Sequence, residues 1–132
     1  MSVLRLDNVV LRPLEQDDLL MVYKLNMDYG ICAGAGFWAD LPTVTAFLGW
    51  MQEYMDKINK DKVHLAIELH TDRVAGVISA FEISDRHKTA EIGIRLQPDA
   101  QGKGVGLKAI QLMLWYLFMI RGLRKVYAQV YA

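Results

Sequence analysis

The sequence predicts an α/β (α+β) fold on a mixed sheet, antiparallel in its early strands and closed by one parallel strand–helix–strand crossover. Two observations carry this. Apolar residues alternate with polar ones along Val63–Leu69, Val74–Ile83 and Thr89–Leu96, the period of half-buried strands, and Thr71-Asp72-Arg73 and Ser84-Asp85-Arg86-His87-Lys88 join them as turns. From Val105 to Ile120 the chain is dense in Leu, Ala, Ile, Met and Lys, a helical composition closed by Gly122. A last alternating stretch, Lys125–Tyr131, follows it. A strand, a helix and a strand at this spacing imply a right-handed parallel crossover.

The earlier elements follow in order. Val9–Arg12 reads as a strand paired with Val3–Leu6 across an Asp7-Asn8 turn, and Pro13 stops it. A helix is expected from Glu15 to Asp28, with Asp17 and Asp18 in the first turn, where the helix dipole favours negative charge. Tyr29–Trp38 is a Gly-rich connection. Thr43–Asn59 is a second helix, whose Val44, Phe47, Leu48, Met51, Tyr54, Met55 and Ile58 recur at helical spacing and form a core stripe.

Composition narrows the function classes. At 132 residues and 53% hydrophobic, the chain is expected to be one globular domain spanning 1–132. Its first residues lack the basic and apolar regions of a signal peptide, and the longest apolar run, Leu112–Ile120, is far short of the roughly 20 residues of a membrane span. One cysteine, Cys32, leaves no internal disulfide and no cysteine zinc cage, and is read as a small buried hydrophobe. The expectation is a cytoplasmic protein that does not bind a membrane. A net charge of zero argues against nucleic acid as a partner. No metal site is expected: His64 and His70 lie six apart on one strand face, His87 sits in a turn, and all three are read as solvated.

The stretch between the third alternating strand and the long helix carries the chemistry. Pro98 ends the strand, and Gly102, Gly104 and Gly106 follow at alternate positions up to the helix start. Such a turn leaves backbone N–H groups unpaired beneath a helix dipole, a site for phosphate or pyrophosphate. Residues 100–132 hold five basic side chains (Lys103, Lys108, Arg121, Arg124, Lys125) and no acidic ones, as an anionic ligand requires. A Walker A loop is excluded because Gly104 follows Lys103 where Ser or Thr is needed. Gly104-Val105-Gly106-Leu107-Lys108-Ala109 meets the dinucleotide fingerprint, but it comes late in the chain with no acidic residue after it.

Gln101-Gly102-Lys103-Gly104-Val105-Gly106, preceded by Ala90-Glu91-Ile92-Gly93-Ile94, resembles the signature of the GNAT superfamily of acetyl-CoA-dependent N-acetyltransferases. Leu11-Arg12-Pro13-Leu14-Glu15-Gln16-Asp17-Asp18 resembles the opening of the branch that acetylates ribosomal-protein N-termini and spermidine. The resemblance runs from about Val9 to the last residue. It implies acetyl-CoA held by Gln101, Gly102, Lys103, Gly104, Val105, Gly106 and Lys108, with its pantetheine arm along Ile94 and Leu96. The acceptor is expected to be a primary amine of a polyamine, small molecule or protein N-terminus.

The resemblance also implies Glu91 as base, a backbone N–H near Ile94 as polariser of the thioester oxygen, and Phe37 and Trp38 beside the amine. Family members continue past the last strand into a helix and hairpin that often supply a tyrosine proton donor. With the chain stopping at Val130-Tyr131-Ala132, the site is expected to be C-terminally incomplete, Tyr131 or Tyr127 to stand in as donor, and the last strand to pair in a homodimer. A CoA-binding remnant without turnover, or an interaction module on the same fold, are the alternatives.

Overall fold

A computed structural model describes residues 4–27, 42–57, 60–69 and 73–128. Its sheet has six strands in sequential order: β1 (Leu4–Leu6), β2 (Val9–Pro13), β3 (Val63–Leu69), β4 (Arg73–Ser84), β5 (Thr89–Leu96) and β6 (Lys125–Ala128). Every neighbouring pair is antiparallel except β5–β6, which is parallel, so the mixed sheet is as expected. The β1–β2 hairpin turns at Asp7, whose φ of 54° fits a residue type that tolerates the left-handed region.

The helices divide between the two faces. After a single 3-10 turn at Gln16–Asp18 comes α1 (Leu19–Met27), and α2 (Val44–Met55) is capped by Thr43, whose hydroxyl accepts from the Ala46 N–H at 3.1 Å. Leu14, Leu19, Val22, Leu25, Phe47 and Met51 pack from this side onto Ala66 and Val77. Val44, expected in the α2 stripe, is 40% exposed because it occupies the first helical position, before the helix reaches the sheet. Ile58 lies outside the described residues.

On the other face α3 (Val105–Trp115) buries Val105, Ala109, Leu112 and Met113 against Val9, Leu11, Ile67, Ile78 and Ile92. Beyond Trp115 the helix widens into a π-helical turn, Tyr116–Ile120, closed by Arg121 N–H to Tyr116 O at 3.1 Å. Gly122 then turns the chain back at φ 68°, with Leu123 N–H on Leu117 O at 3.0 Å, the terminating geometry that a glycine permits. Among the described residues no helix is long and apolar enough to cross a membrane, and no cluster of His, Cys, Asp or Glu could hold a metal.

Candidate active site

The Gly-rich turn between β5 and α3 leaves its backbone donors open. Pro98–Ala100 makes one 3-10 turn, with Gln101 N–H on Pro98 O at 3.3 Å, and the next loop or cap bond is Lys108 N–H to Gly104 O at 3.2 Å. The N–H groups from Gly102 to Leu107 therefore have no partner among the described residues. Gly102 and Gly104 stand at φ 75° and 77°, and a Cβ on either would meet no heavy atom within 4 Å. Open space beside unpaired donors at a helix start fits a diphosphate. Gly106 serves packing instead: a Cβ there would lie 3.3 Å from Leu96 Cδ1, so its bareness lets α3 approach the sheet.

The surrounding side chains are braced. Gln101 Nε2 donates to Leu96 O at 3.3 Å, Gln97 Nε2 to Val74 O at 2.7 Å, and Arg73 pairs with Asp99. Lys108 Nζ donates to Asn8 Oδ1 at 3.2 Å and lies 3.5 Å from Asp7 Oδ2, tying the β1–β2 turn to α3. The five basic residues do not gather at the loop, contrary to the charge reading. From Gly104 to Ile120 the helix runs roughly 24 Å at 1.5 Å per residue. Arg121, Arg124 and Lys125 thus lie at its far end, where Arg121 donates to Lys60 O at 2.8 Å. Lys103 and Lys108 are the two beside the turn.

β5 divides its side chains between the layers. Ala90, Ile92, Ile94 and Leu96 face α3, so Ile94 and Leu96 offer a ligand their backbone and not their side chains. The last described rung to β6 is Ile92↔Ala128, which leaves the edge of β5 from Gly93 to Leu96 without a described neighbour. Glu91, Gly93 and Arg95 face the α1/α2 side. Glu91 is half-buried, and its carboxylate has no hydrogen-bond or ion-pair partner among the described residues. Register sets it in one row with Phe81 on β4 and Tyr127 on β6.

The next row on that face is His64–Ser79–Gly93. His64 is not the solvated residue expected. Its Nδ1 lies 2.6 Å from Ser79 Oγ, its backbone N–H donates to the Tyr54 hydroxyl at 3.1 Å, and its ring meets the Tyr54 ring edge-on at 4.7 Å. Burial, with the positive charges of Lys62 and Arg95, lowers its pKa to about 4, so the imidazole is neutral near pH 7. The alternation that placed His64 on a strand face could not show that α2 covers that face. Phe81, directly across from Glu91, and the adjoining row of Ser79 and His64 were missed as site neighbours because only the register shows them.

A cavity of about 910 Å3 lies elsewhere, between the β1–β3 side and the end of α3, walled by Leu6, Leu11, Leu65, Leu112 and Trp115. Its wall is mostly apolar but includes Arg5, Tyr54 and His64, and no residue of the Gly turn lines it. Phe37, Trp38, Cys32, His70 and Tyr131 fall outside the described residues.

Among the described residues, a mixed sheet that offers unpaired loop amides at a helix start, beside a strand edge and a carboxylate with no described partner, has the layout of an acyl-CoA-dependent acetyltransferase. Residues 8–132 match the family model of the Acetyltransferase (GNAT) domain, and the chain belongs to that family. It is 31% identical over 121 residues to a spermidine N(1)-acetyltransferase of Escherichia coli (strain K12), covering 91% of this chain and 62% of the relative. A spermidine N(1)-acetyltransferase of Vibrio cholerae serotype O1 is 29% identical over 124 residues, 92% of this chain and 69% of the relative. Among solved structures, a Vibrio cholerae spermidine N-acetyltransferase in complex with CoA and spermine superposes with a TM-score of 0.84 at 25% identity, over 93% of this chain and 71% of that one. The chain spans 62% of the length of its Escherichia coli relative.

Proposed function

We propose that this chain carries the acetyl-CoA half and the catalytic strand of an N-acetyltransferase acting on a primary amine, with polyamines as the favoured class. The run of N–H groups from Gly102 to Leu107 without a partner among the described residues, with open space beside Gly102 and Gly104, is the observation that carries the reading. Those amides hold the pyrophosphate, Lys103 adds charge while Lys108 is drawn to Asp7 and Asn8, Gln101 braces the turn, and the edge of β5 from Gly93 to Leu96, which has no described neighbour, receives the pantetheine arm. The polyamine class is supported by the spermidine acetyltransferases the chain resembles.

When bound, acetyl-CoA supplies the acetyl group as an activated thioester. Glu91 accepts the proton of the ammonium and frees the nitrogen lone pair. A backbone N–H near Ile94 takes the charge that grows on the carbonyl oxygen as the C–N bond forms. As the C–S bond breaks, Tyr131 gives its proton to the thiolate sulfur and takes up the second proton that the nitrogen sheds as the amide forms. Phe37 and Trp38 border the amine in this reading.

Calorimetric titration with acetyl-CoA, then thiol release with a panel of amines, tests it. Gly104→Val should abolish cofactor binding, because the left-handed φ and the ligand space both exclude a β-branched side chain. Glu91→Gln should cut the rate about a hundredfold or more at unchanged cofactor affinity. Undiminished acetyl-CoA affinity in the Gly104 variant removes the cofactor site, and an unaffected rate in the Glu91 variant returns that carboxylate to a structural role. Binding without thiol release leaves a CoA-binding module.

A further inference from the structure

Glu91 does not stand alone on its face of the sheet. The β4–β5 register sets Phe81 directly across from it, and the β5–β6 register sets Tyr127 on its other side. Residues opposite one another on neighbouring strands share a face, with Cβ atoms about 4.5–5.5 Å apart in antiparallel pairs. The three side chains therefore form one row: ring, carboxylate, ring.

The backbone fixes the first ring. Regular pairing of β4 breaks immediately after Phe81, where Glu82 adopts φ 50°. Next along β5 is Gly93, and a Cβ there would lie 3.6 Å from Phe81 Cε1, so the ring rests over the space a side chain would use. On the other side Tyr127 is 51% exposed at the margin of the sheet. The adjoining row is uncharged at neutral pH, since its members are His64, Ser79 and Gly93.

We propose that Phe81 and Tyr127 are specificity-determining walls of the acceptor site, which grips a linear alkylammonium between two aromatic faces above Glu91. This rests on the reading of Glu91 as the base in an N-acetyltransferase and goes beyond it by assigning the acceptor's contacts. A carboxylate alone binds any ammonium. Rings on both sides add attraction between the cation and the π faces, and offer apolar surface to the methylenes next to the nitrogen. The pair thus favours an unbranched aliphatic amine. An amino acid fits poorly, because its own carboxylate would be carried toward Glu91.

The test measures amine binding directly, so it does not depend on turnover. Spermidine and butylamine are titrated calorimetrically into the protein, alone and saturated with CoA, for wild type, Phe81→Leu, Tyr127→Leu, Phe81→Tyr and Tyr127→Phe. The leucine variants keep apolar bulk but lose the π face, and affinity for both amines should fall about tenfold in each. The aromatic exchanges should bind within about twofold of wild type, and CoA affinity should not move in any variant. Thermal unfolding of each variant shows whether a loss reflects the site or the fold, and rescue by the aromatic exchanges guards against a merely structural effect.

Amine affinity that is unchanged in both leucine variants overturns the proposal. So does a loss of CoA affinity in parallel with amine affinity, or a loss that the aromatic exchanges reproduce. Amine binding that depends on the rings without any thiol release would instead leave the walls in place and remove the catalytic reading.

Discussion

At the scale of single residues, Gly76 shows what the pattern of the sequence does and does not reveal. The alternation along β4 marks it only as a small residue in a strand. In the structure a Cβ there would lie 2.2 Å from Arg95 O and 2.9 Å from Leu96 Cα, both backbone atoms that cannot rotate away. Gly76→Ala should therefore destabilise by about 3 kcal/mol through forced separation of β4 and β5, read as a fall in the urea midpoint. A midpoint equal to wild type would show that the strands part freely. The three loop glycines were legible as a group, but not their division of labour: Gly102 and Gly104 supply positive φ, and Gly106 supplies close approach. His64 gives a pH prediction. Its ordinary value of 6.5 is lowered to about 4 in the fold, so the unfolded chain binds the extra proton between those values. The stability from the neutral ring is complete above pH 6.5 and is lost as pH falls toward 4. After allowance for its partial exposure the loss should be about 2 kcal/mol. His64→Gln should flatten stability between pH 7 and pH 5, and an unchanged slope would assign the dependence to another group.

At the scale of elements, strands and helices were legible because their periods are strong, and β5 runs over the residues its alternation marks out. The start of α1 was not. Asp17 and Asp18 suggested favourable charge at a helix start, yet Asp18 is buried and serves as a fastener. Its carboxylate accepts the Glu15 N–H at 2.8 Å and two bonds from Arg12, at 2.8 and 3.2 Å, while Arg12 Nε reaches Glu68 at 2.6 Å. β2, β3 and the start of α1 are joined by this one guanidinium, a contact between Arg12 and Glu68 across 56 positions that no local pattern displays. Burial pushes the Asp18 pKa up, but the bonds from Arg12 and Glu15 outweigh it and hold the carboxyl below its ordinary value. Its contribution is therefore present above pH 3.8 and is lost as pH falls through the lower folded value. Asp18→Ala should cost about 2–3 kcal/mol at pH 7, since it removes the cap and strands part of a half-buried cation. A cost below half of that would mean Glu68 alone satisfies Arg12.

At the scale of the whole molecule, the described residues place helices on both faces of the sheet, and strand backbone is left open at its edges. β1 is one edge, only three residues long and tied to α3 through Asp7, Asn8 and Lys108. The other, among the described residues, is β6 with the adjoining part of β5. There Lys125, Tyr127 and Ala128 are exposed, while Val126 alone turns inward to the core. Strand N–H and C=O groups that have no partner among the described residues, beside an exposed tyrosine, invite pairing with another strand. A two-fold axis lets the same strand satisfy both copies without leaving an open end. We expect a homodimer formed at this edge. Light scattering on a sizing column at micromolar concentration should return twice the chain mass of 15.0 kDa. Val126 supplies the site-directed check. Val126→Pro removes the N–H of the edge strand, and Tyr127→Lys adds like charge across the axis. If either shifts the peak to a single chain while circular dichroism stays native, the edge is the interface. A wild-type protein that already elutes as one folded chain would mean that β6 is protected without a partner copy, and the dimer reading would be withdrawn.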